Sequence, residues 1–126
     1  MKLFRWVFVA VVLLLTACTA EKAEGYVTIG LDEVLQQQDG GATIVDVREK
    51  EEFAEGHISG AINVPLTELK KGNRANLDTK ETYIIICHSG NRSKEASDIL
   101  FEEGYDVVNV SEGMSSWTGP VRQLFH

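Results

Sequence analysis

Short apolar runs alternate with polar segments along this chain, and the spacing of the apolar residues predicts strands and helices in turn. The runs 43–47 and 82–86 are rich in β-branched residues, which is typical of buried strands. Ala96, Ile99 and Leu100 recur at the spacing of one helical face. The full pattern predicts strands at 26–29, 43–47, 63–64, 82–86 and 107–110, and helices at 31–38, 49–55, 66–71, 93–103 and within 113–117.

Strands that alternate with helices indicate an α/β fold, with a mainly parallel central sheet flanked by helices on both faces. The run 82–86 is the most apolar strand candidate after the first segment of the chain, so we expect it at the centre of the sheet. Ligands of such sheets bind beyond the carboxyl ends of the strands. Both Asp46-Val47-Arg48 and Cys87 lie at such ends.

The N-terminal segment is typical of a secretory signal. Two basic residues precede the apolar stretch 7–15, which is too short to span a bilayer. The Leu-Thr-Ala-Cys that follows resembles the lipobox of bacterial lipoproteins, whose cysteine is acylated; a plain signal peptide or an uncleaved anchor is the alternative. We therefore predict a signal peptide at 1–17, a lipidated Cys18 with a tether to residue 25, and a domain at 26–126. The protein would be exported and membrane-anchored on a periplasmic or extracytoplasmic face.

The composition of the chain narrows the range of binding partners that we expect. Removal of residues 1–17 takes away two basic and no acidic residues, which changes the net charge from −7 to −9 and leaves 109 residues, enough for one domain. An acidic surface argues against nucleic acid, which is bound through phosphate neutralisation. Such a surface also disfavours small anions at long range, so local positive groups would have to attract them.

The chain has two cysteines, Cys18 and Cys87. If Cys18 carries lipid, Cys87 has no disulfide partner within the chain, which suggests a reactive thiol or a partner in trans. A buried, inert cysteine is the alternative. A strand that ends at a cysteine and turns into a helix places the sulfur over backbone N–H groups that favour an anion, including a thiolate.

The loop after Cys87 supplies the groups that would stabilise this anion. Gly90 allows a tight turn, and Arg92 can bond two oxygens of an anion such as a sulfonate or form an internal salt bridge to Asp46 or Glu52. His88 either supplies positive charge or faces solvent without a chemical task. The predicted substrate-binding residues are His88, Ser89, Gly90, Asn91, Arg92 and Ser93.

Four stretches of the chain resemble the single-domain rhodaneses, a family of thiosulfate sulfurtransferases, and together they span about residues 26–122. The matching stretches are 46–48 with 52–53 and 56–65, the C-x-x-G-x-R loop at 87–92, the strand entry at 104–108, and 112–114 with Trp117. Two positions depart from the family pattern. His88 makes the charge beside the sulfur pH-dependent, and Glu112 would repel anions if it faces the site.

The resemblance implies a ping-pong reaction. Cys87 thiolate attacks the outer sulfur of thiosulfate, sulfite leaves, and a persulfide on Cys87 passes its sulfur to cyanide or a thiol. The resemblance implies neither a metal nor an organic cofactor. Around the loop we expect a structural role for Asp46 and Arg48 as a buried ion pair or cap, with catalysis as the alternative.

We likewise expect His57 to fix its loop through backbone bonds and Trp117 to lie in the core rather than serve as a substrate platform.

Two other functions compete with sulfur transfer from thiosulfate. Cysteine phosphatases of a related branch have five residues between cysteine and arginine, whereas His88 to Asn91 are four here, which suits a single sulfur atom better. A persulfide carrier or redox-interacting module that receives sulfur from a partner protein, with little turnover on free thiosulfate, is the second alternative.

Overall fold

A five-stranded parallel sheet organises the molecule, and the computed structural model describes residues 25–124. The strands are β1 (Val27–Ile29), β2 (Thr43–Asp46), β3 (Ile62–Asn63), β4 (Thr82–Cys87) and β5 (Asp106–Gly113), in the order β1-β5-β4-β2-β3. The helices are α1 (Val34–Asp39), α2 (Lys50–Glu55), α3 (Leu66–Lys70) and α4 (Asn91–Glu102), with 3₁₀ turns at Leu31–Glu33 and Met114–Ser116. The predicted α/β class is confirmed.

Strand β4 lies at the centre of the sheet, as its apolar sequence predicts. Its side chains alternate between the two faces. Ile85 and Cys87 pack in the core under α3 and α4, whereas Ile84 and Ile86 pack with Val34 of α1 on the opposite face. The sheet is therefore covered on both sides, and Cys87, at the end of β4, lies on the side that α4 covers.

The boundaries of two elements near Cys87 differ from the prediction. Helix α4 begins at Asn91 rather than Ser93, because Gly90 turns the chain with a φ of +106° and its carbonyl already accepts a helical bond from Lys94. Strand β5 continues to Gly113 rather than ending at residue 110. A register shift between Ile85 and Cys87 brings Gly113 opposite Cys87, so the strand pairing lasts to the end of β4.

The C-terminal tail is fixed to the end of α2. Arg122 N–H donates to the carbonyl of His57 at 2.7 Å, and His57 N–H donates to the carbonyl of Arg122 at 2.9 Å. Leu124 N–H donates to the carbonyl of Ala54 at 3.0 Å. These long-range bonds place a segment that the sequence predicts only as a tail next to the loop that follows α2.

The predicted signal peptide at 1–17 and the predicted lipidation site at Cys18 lie outside the described residues. Within residues 25–124, no helix is long and apolar enough to cross a membrane. The domain start at residue 26 stays a prediction, and the first strand begins one residue later, at Val27.

Candidate active site

Cys87 ends the central strand, and its side chain is buried. The chain then turns through Ser89 and Gly90 into α4, and Gly90 N–H donates to the Cys87 sulfur at 3.1 Å. The sulfur therefore lies at the carboxyl end of β4 and next to the N-terminus of a twelve-residue helix. The Gly90 N–H and the N-terminus of α4 both favour negative charge at this atom.

The thiol of Cys87 ionises more readily than a free cysteine. Burial by itself would raise the pKa of Cys87, because the thiolate loses hydration. Hydrogen bonds from the Ser93 hydroxyl and from the backbone N–H groups of Ser93, Gly90 and Ser89 outweigh that effect, so the pKa lies below its ordinary value. The loop thus supplies the donors that the reactive form of a cysteine requires.

Two glycines let the backbone of the loop approach β5 closely. A Cβ at Gly90 would lie 2.4 Å from the carbonyl oxygen of Ser111, and the φ of +106° also disfavours any side chain there. A Cβ at Gly113 would lie 2.3 Å from the carbonyl oxygen of His88. Backbone therefore packs against backbone beneath the loop, which holds the N–H groups in their orientation toward the sulfur.

Arg92 forms an internal salt bridge, and its partner is Glu52 rather than Asp46. The two guanidinium nitrogens lie 2.7 and 3.0 Å from the two carboxylate oxygens of Glu52. The hydrogen bonds from Arg92 hold the pKa of Glu52 at about 2. Glu52 also accepts a bond from the backbone N–H of Glu49 at 3.0 Å, within the capping box that begins α2.

Asp46 and Arg48 form the expected buried ion pair. The Arg48 guanidinium bonds both carboxylate oxygens of Asp46, with Nε–Oδ1 at 2.9 Å and Nη2–Oδ2 at 2.7 Å. Arg48 Nη2 also donates to the carbonyl of Gly56 at 2.7 Å. The side-chain amide of Asn63 donates to the carbonyls of Asp46 and Arg48, each at 2.9 Å. These contacts tie together the segments that follow β2 and α2.

His57 is buried, and its ring contacts Phe53 of α2. Its Nδ1 lies 2.8 Å from the carbonyl oxygen of Phe53, to which it donates, and its ring stacks on the Phe53 ring at 3.8 Å between centroids. Together with its backbone pairing to Arg122, this arrangement matches the expected structural role.

A cavity of about 310 Å³ borders the loop at His88, the residue next to Cys87. We call it the loop pocket. It is lined by Arg48, Glu52, Glu55, Gly56, His88, Met114, Trp117 and Val121. Sequence reasoning missed Glu55 and Val121. No local pattern could have found them, because the pairing of the tail with His57 brings Val121 to this position.

Glu112 does not line the loop pocket. It borders a different cavity of about 460 Å³, together with Asp32 and Leu35 on the α1 side. Trp117 lines both cavities and packs on the core beside α1, so it is both a core residue and a wall of the loop pocket. Within residues 25–124, no group of three or more His, Cys, Asp or Glu side chains is placed to share a metal ion.

Fold and loop together define an α/β domain that holds a thiol in an anion-binding turn at the end of its central strand. The chain belongs to the rhodanese-like domain family, whose family model matches residues 30–120.

Known proteins agree with this assignment. The chain is 40% identical over 105 residues to the "Putative sulfur carrier protein YrkF" of Bacillus subtilis, a match that covers 80% of this chain and 56% of that protein. It is 35% identical over 77 residues to the thiosulfate sulfurtransferase PspE of Escherichia coli, with 60% and 74% covered. A rhodanese-related protein from Thermoplasma volcanium superposes with a TM-score of 0.70 at 34% identity, over 79% of this chain and all of that one. These similarities associate the fold with sulfur transfer in general.

Proposed function

We propose that this protein is a rhodanese-type sulfurtransferase in which Cys87 accepts a sulfane sulfur as a persulfide and passes it to a thiophilic acceptor. The observation that carries the proposal is the position of the Cys87 sulfur, 3.1 Å from the Gly90 N–H and with a pKa below that of an ordinary thiol. The similarity to a thiosulfate sulfurtransferase supports the same chemistry.

The reaction would proceed in two half-reactions. Cys87 thiolate attacks the outer sulfur of thiosulfate, the sulfur–sulfur bond of the donor breaks, and sulfite leaves with the electron pair. The persulfide then carries a terminal sulfur anion that needs hydrogen-bond donors as the thiolate does, and the N–H groups of Ser89, Gly90 and Ser93 supply them. An acceptor such as cyanide or a thiol attacks that terminal sulfur and regenerates the Cys87 thiolate.

A persulfide carrier without turnover on small donors is the second candidate, and the 40% identity to a protein named as a sulfur carrier favours it. Phosphatase or arsenate chemistry is less well supported. Only four residues separate Cys87 from Arg92. The guanidinium of Arg92 also contacts Glu52 through two nitrogens, whereas an arginine that binds an oxyanion through two hydrogen bonds needs an unpaired guanidinium.

Intact mass spectrometry after incubation with thiosulfate tests the sulfur chemistry. We expect a gain of one sulfur atom in the wild-type chain and in Cys18→Ser, and no gain in Cys87→Ser. Repeated turnover with thiosulfate and cyanide would distinguish the transferase from a carrier, which would accept sulfur once without steady-state turnover. A chain that gains no sulfur, or gains it in Cys87→Ser, would contradict the proposal.

We also propose that the protein is exported and anchored to a membrane by lipid on Cys18. The support is the basic start, the apolar stretch 7–15 and the small residues before Cys18. Acyl chains bind the bilayer with about 0.8 kcal/mol per buried CH₂ group. The sulfur chemistry would then take place outside the cytoplasm.

A further inference from the structure

The cavity that Glu112 borders is a groove between the start of α1 and the segment at the end of β5. Its volume is about 460 Å³, and we call it the acidic groove. Leu31, Leu35 and Trp117 supply its apolar wall. Asp32 and Glu112 line it as well, so the groove combines three large apolar side chains with two carboxylates.

The apolar wall of the groove is exposed and held in place. Leu35 is 41% exposed. The indole N–H of Trp117 donates to the carbonyl of Pro120 at 3.2 Å, and a Cβ at Gly119 would lie 2.6 Å from the indole ring. Backbone at Gly119 therefore packs directly against the ring and fixes it. A wall that is already ordered loses little conformational entropy when a ligand binds.

The two carboxylates of the groove have no cationic partner within residues 25–124. The ion pairs of this part of the chain engage other acidic residues, such as Glu52 and Glu103. Asp32 and Glu112 are both exposed. Unpaired charges beside an apolar surface favour a partner of opposite charge.

The combination of these features is typical of a protein interaction surface. Apolar surface with a charged rim marks such sites, and tryptophan is enriched among the residues that contribute most to binding. A second copy of this chain, with a net charge of −7, and an anionic lipid surface would both bring like charge to the groove. The charge of the groove therefore selects a cationic partner.

We infer that the acidic groove binds a segment of a partner protein in which lysine or arginine side chains stand next to apolar ones. The apolar side chains of that segment lie against Leu35 and Trp117, and its cationic side chains pair with Asp32 and Glu112.

A segment bound in the groove would lie beside the cysteine loop. Ser115 N–H donates to the carbonyl of His88 at 2.9 Å, and a Cβ at Gly90 would lie 3.9 Å from the Cα of Glu112. Trp117 is a wall of both the acidic groove and the loop pocket. The groove thus suits a partner that exchanges sulfur with Cys87; that role rests on the proposed function, whereas the binding itself does not.

Titration of the full chain with short peptides tests the groove. Trp6→Phe leaves Trp117 as the sole tryptophan, so that its fluorescence reports on the groove. The probe is the acetylated peptide amide KLLKLL, and the comparison peptides are KSSKSS, which lacks the apolar side chains, and ELLELL, which reverses the charge. We expect KLLKLL to shift the Trp117 emission to shorter wavelength and to bind about tenfold more tightly than either comparison peptide. Its affinity should fall several-fold between ~0.02 M and ~0.5 M salt, because salt screens the charge pairs.

Two variants of exposed residues assign the binding to the groove. Glu112→Gln removes a charge and Leu35→Ser removes apolar wall, and each should weaken KLLKLL binding about three- to tenfold. Asp39→Asn is the matched control, because Asp39 is an exposed carboxylate at the end of α1 that does not line the groove. This control should bind KLLKLL as the parent chain does.

Three results would each overturn the inference. They are the absence of an emission shift up to ~1 mM KLLKLL, equal affinity for KLLKLL and ELLELL, and unchanged affinity in both Glu112→Gln and Leu35→Ser. Dimerisation in sedimentation experiments that Leu35→Ser abolishes would overturn it as well, because the groove would then bind a second copy of the chain. All of these measurements are made without a sulfur donor, so none of them bears on the gain of sulfur by Cys87 that tests the proposed function.

Discussion

Ser93 has one hydroxyl proton and three acceptors within reach. Its oxygen lies 3.2 Å from the Gly90 carbonyl oxygen and 3.3 Å from the Val110 carbonyl oxygen, and its hydroxyl also lowers the pKa of Cys87. A bond to an anionic sulfur is stronger than a bond to a neutral carbonyl. The proton therefore turns to the sulfur when Cys87 ionises or carries a persulfide.

Ser93→Ala is expected to raise the pKa of Cys87, because it removes a donor to the thiolate while the backbone N–H groups remain. At pH values below the pKa of Cys87, each unit by which that pKa rises lowers the thiolate fraction about tenfold. The rate of alkylation by iodoacetamide falls by the same factor, because the thiolate is the reacting form. The measurement is the pH profile of the alkylation rate.

Ser97→Ala is the matched control. Ser97 is as fully buried as Ser93 and lies one turn later in α4, but its hydroxyl lies 3.2 Å from Asn109 Oδ1 instead of near the sulfur. Ser97→Ala should leave the pH profile of alkylation unchanged, and Ser93→Thr, which keeps the hydroxyl, should show the wild-type profile. An identical profile in Ser93→Ala and wild type would remove Ser93 from the account of thiolate stabilisation.

At the level of elements, Glu52 links the start of α2 to the start of α4. Glu52 completes the capping box of α2 and pairs with Arg92, the second residue of α4. The arginine that follows the cysteine loop is thus held by another helix, which fixes the start of α4 relative to α2. Gly90 and Gly113 hold the same loop from the side of β5.

We expect Glu52→Gln to lower the free energy of unfolding at neutral pH by about 1 kcal/mol. The effect is small because both side chains are partly exposed, Arg92 at 33% and Glu52 at 35%, so that solvent screens the ion pair. The amide oxygen can still accept the cap bond from Glu49. Because the pKa of Glu52 is held at about 2 in the folded state, against an ordinary value of 4.5, the stabilisation is complete above about pH 4.5. It is lost as the pH falls through 2.

Urea unfolding of wild type and Glu52→Gln between pH 7 and pH 2 measures this effect. The difference in free energy of unfolding should be constant near neutrality and should shrink across the acid range. Glu51→Gln, which changes the same charge on the same helix, should show no such convergence. A wild-type advantage that persists undiminished at pH 2 would contradict the assigned ion pair.

At the scale of the whole molecule, an acidic domain of about one hundred residues would be held near a membrane by a short tether. The net charge of −7 for the full chain disfavours contact with anionic lipid through the domain surface. Attachment would therefore depend on the acyl chains alone, which is sufficient when more than one chain is present.

Expression of the full chain in a bacterium with an alkyne-labelled fatty acid tests this arrangement. We expect the label on the wild-type chain in the membrane fraction and its loss in Cys18→Ser, because no other residue offers the predicted acylation site. Cys87→Ser, which changes the only other cysteine, should keep the label. An unlabelled wild-type chain in the soluble fraction would contradict the lipid anchor.

Local sequence patterns were sufficient to predict the order of strands and helices, the central place of β4 and the position of Cys87 at its carboxyl end. These features depend on the periodicity of neighbouring residues, which is local information. The loop of glycine and polar residues after Cys87 was equally visible, because a turn between a strand and a helix is encoded within a few positions.

Contacts between distant segments determine which carboxylate pairs with Arg92, which cavity Glu112 borders and which residues line the loop pocket. Glu52 and Arg92 are forty positions apart, and Val121 reaches the pocket through the pairing of Arg122 with His57. Such contacts depend on how crossovers and strand register place distant segments, which no short stretch of sequence encodes. The Glu52–Arg92 ion pair and the lining of the loop pocket are therefore properties of the assembled domain.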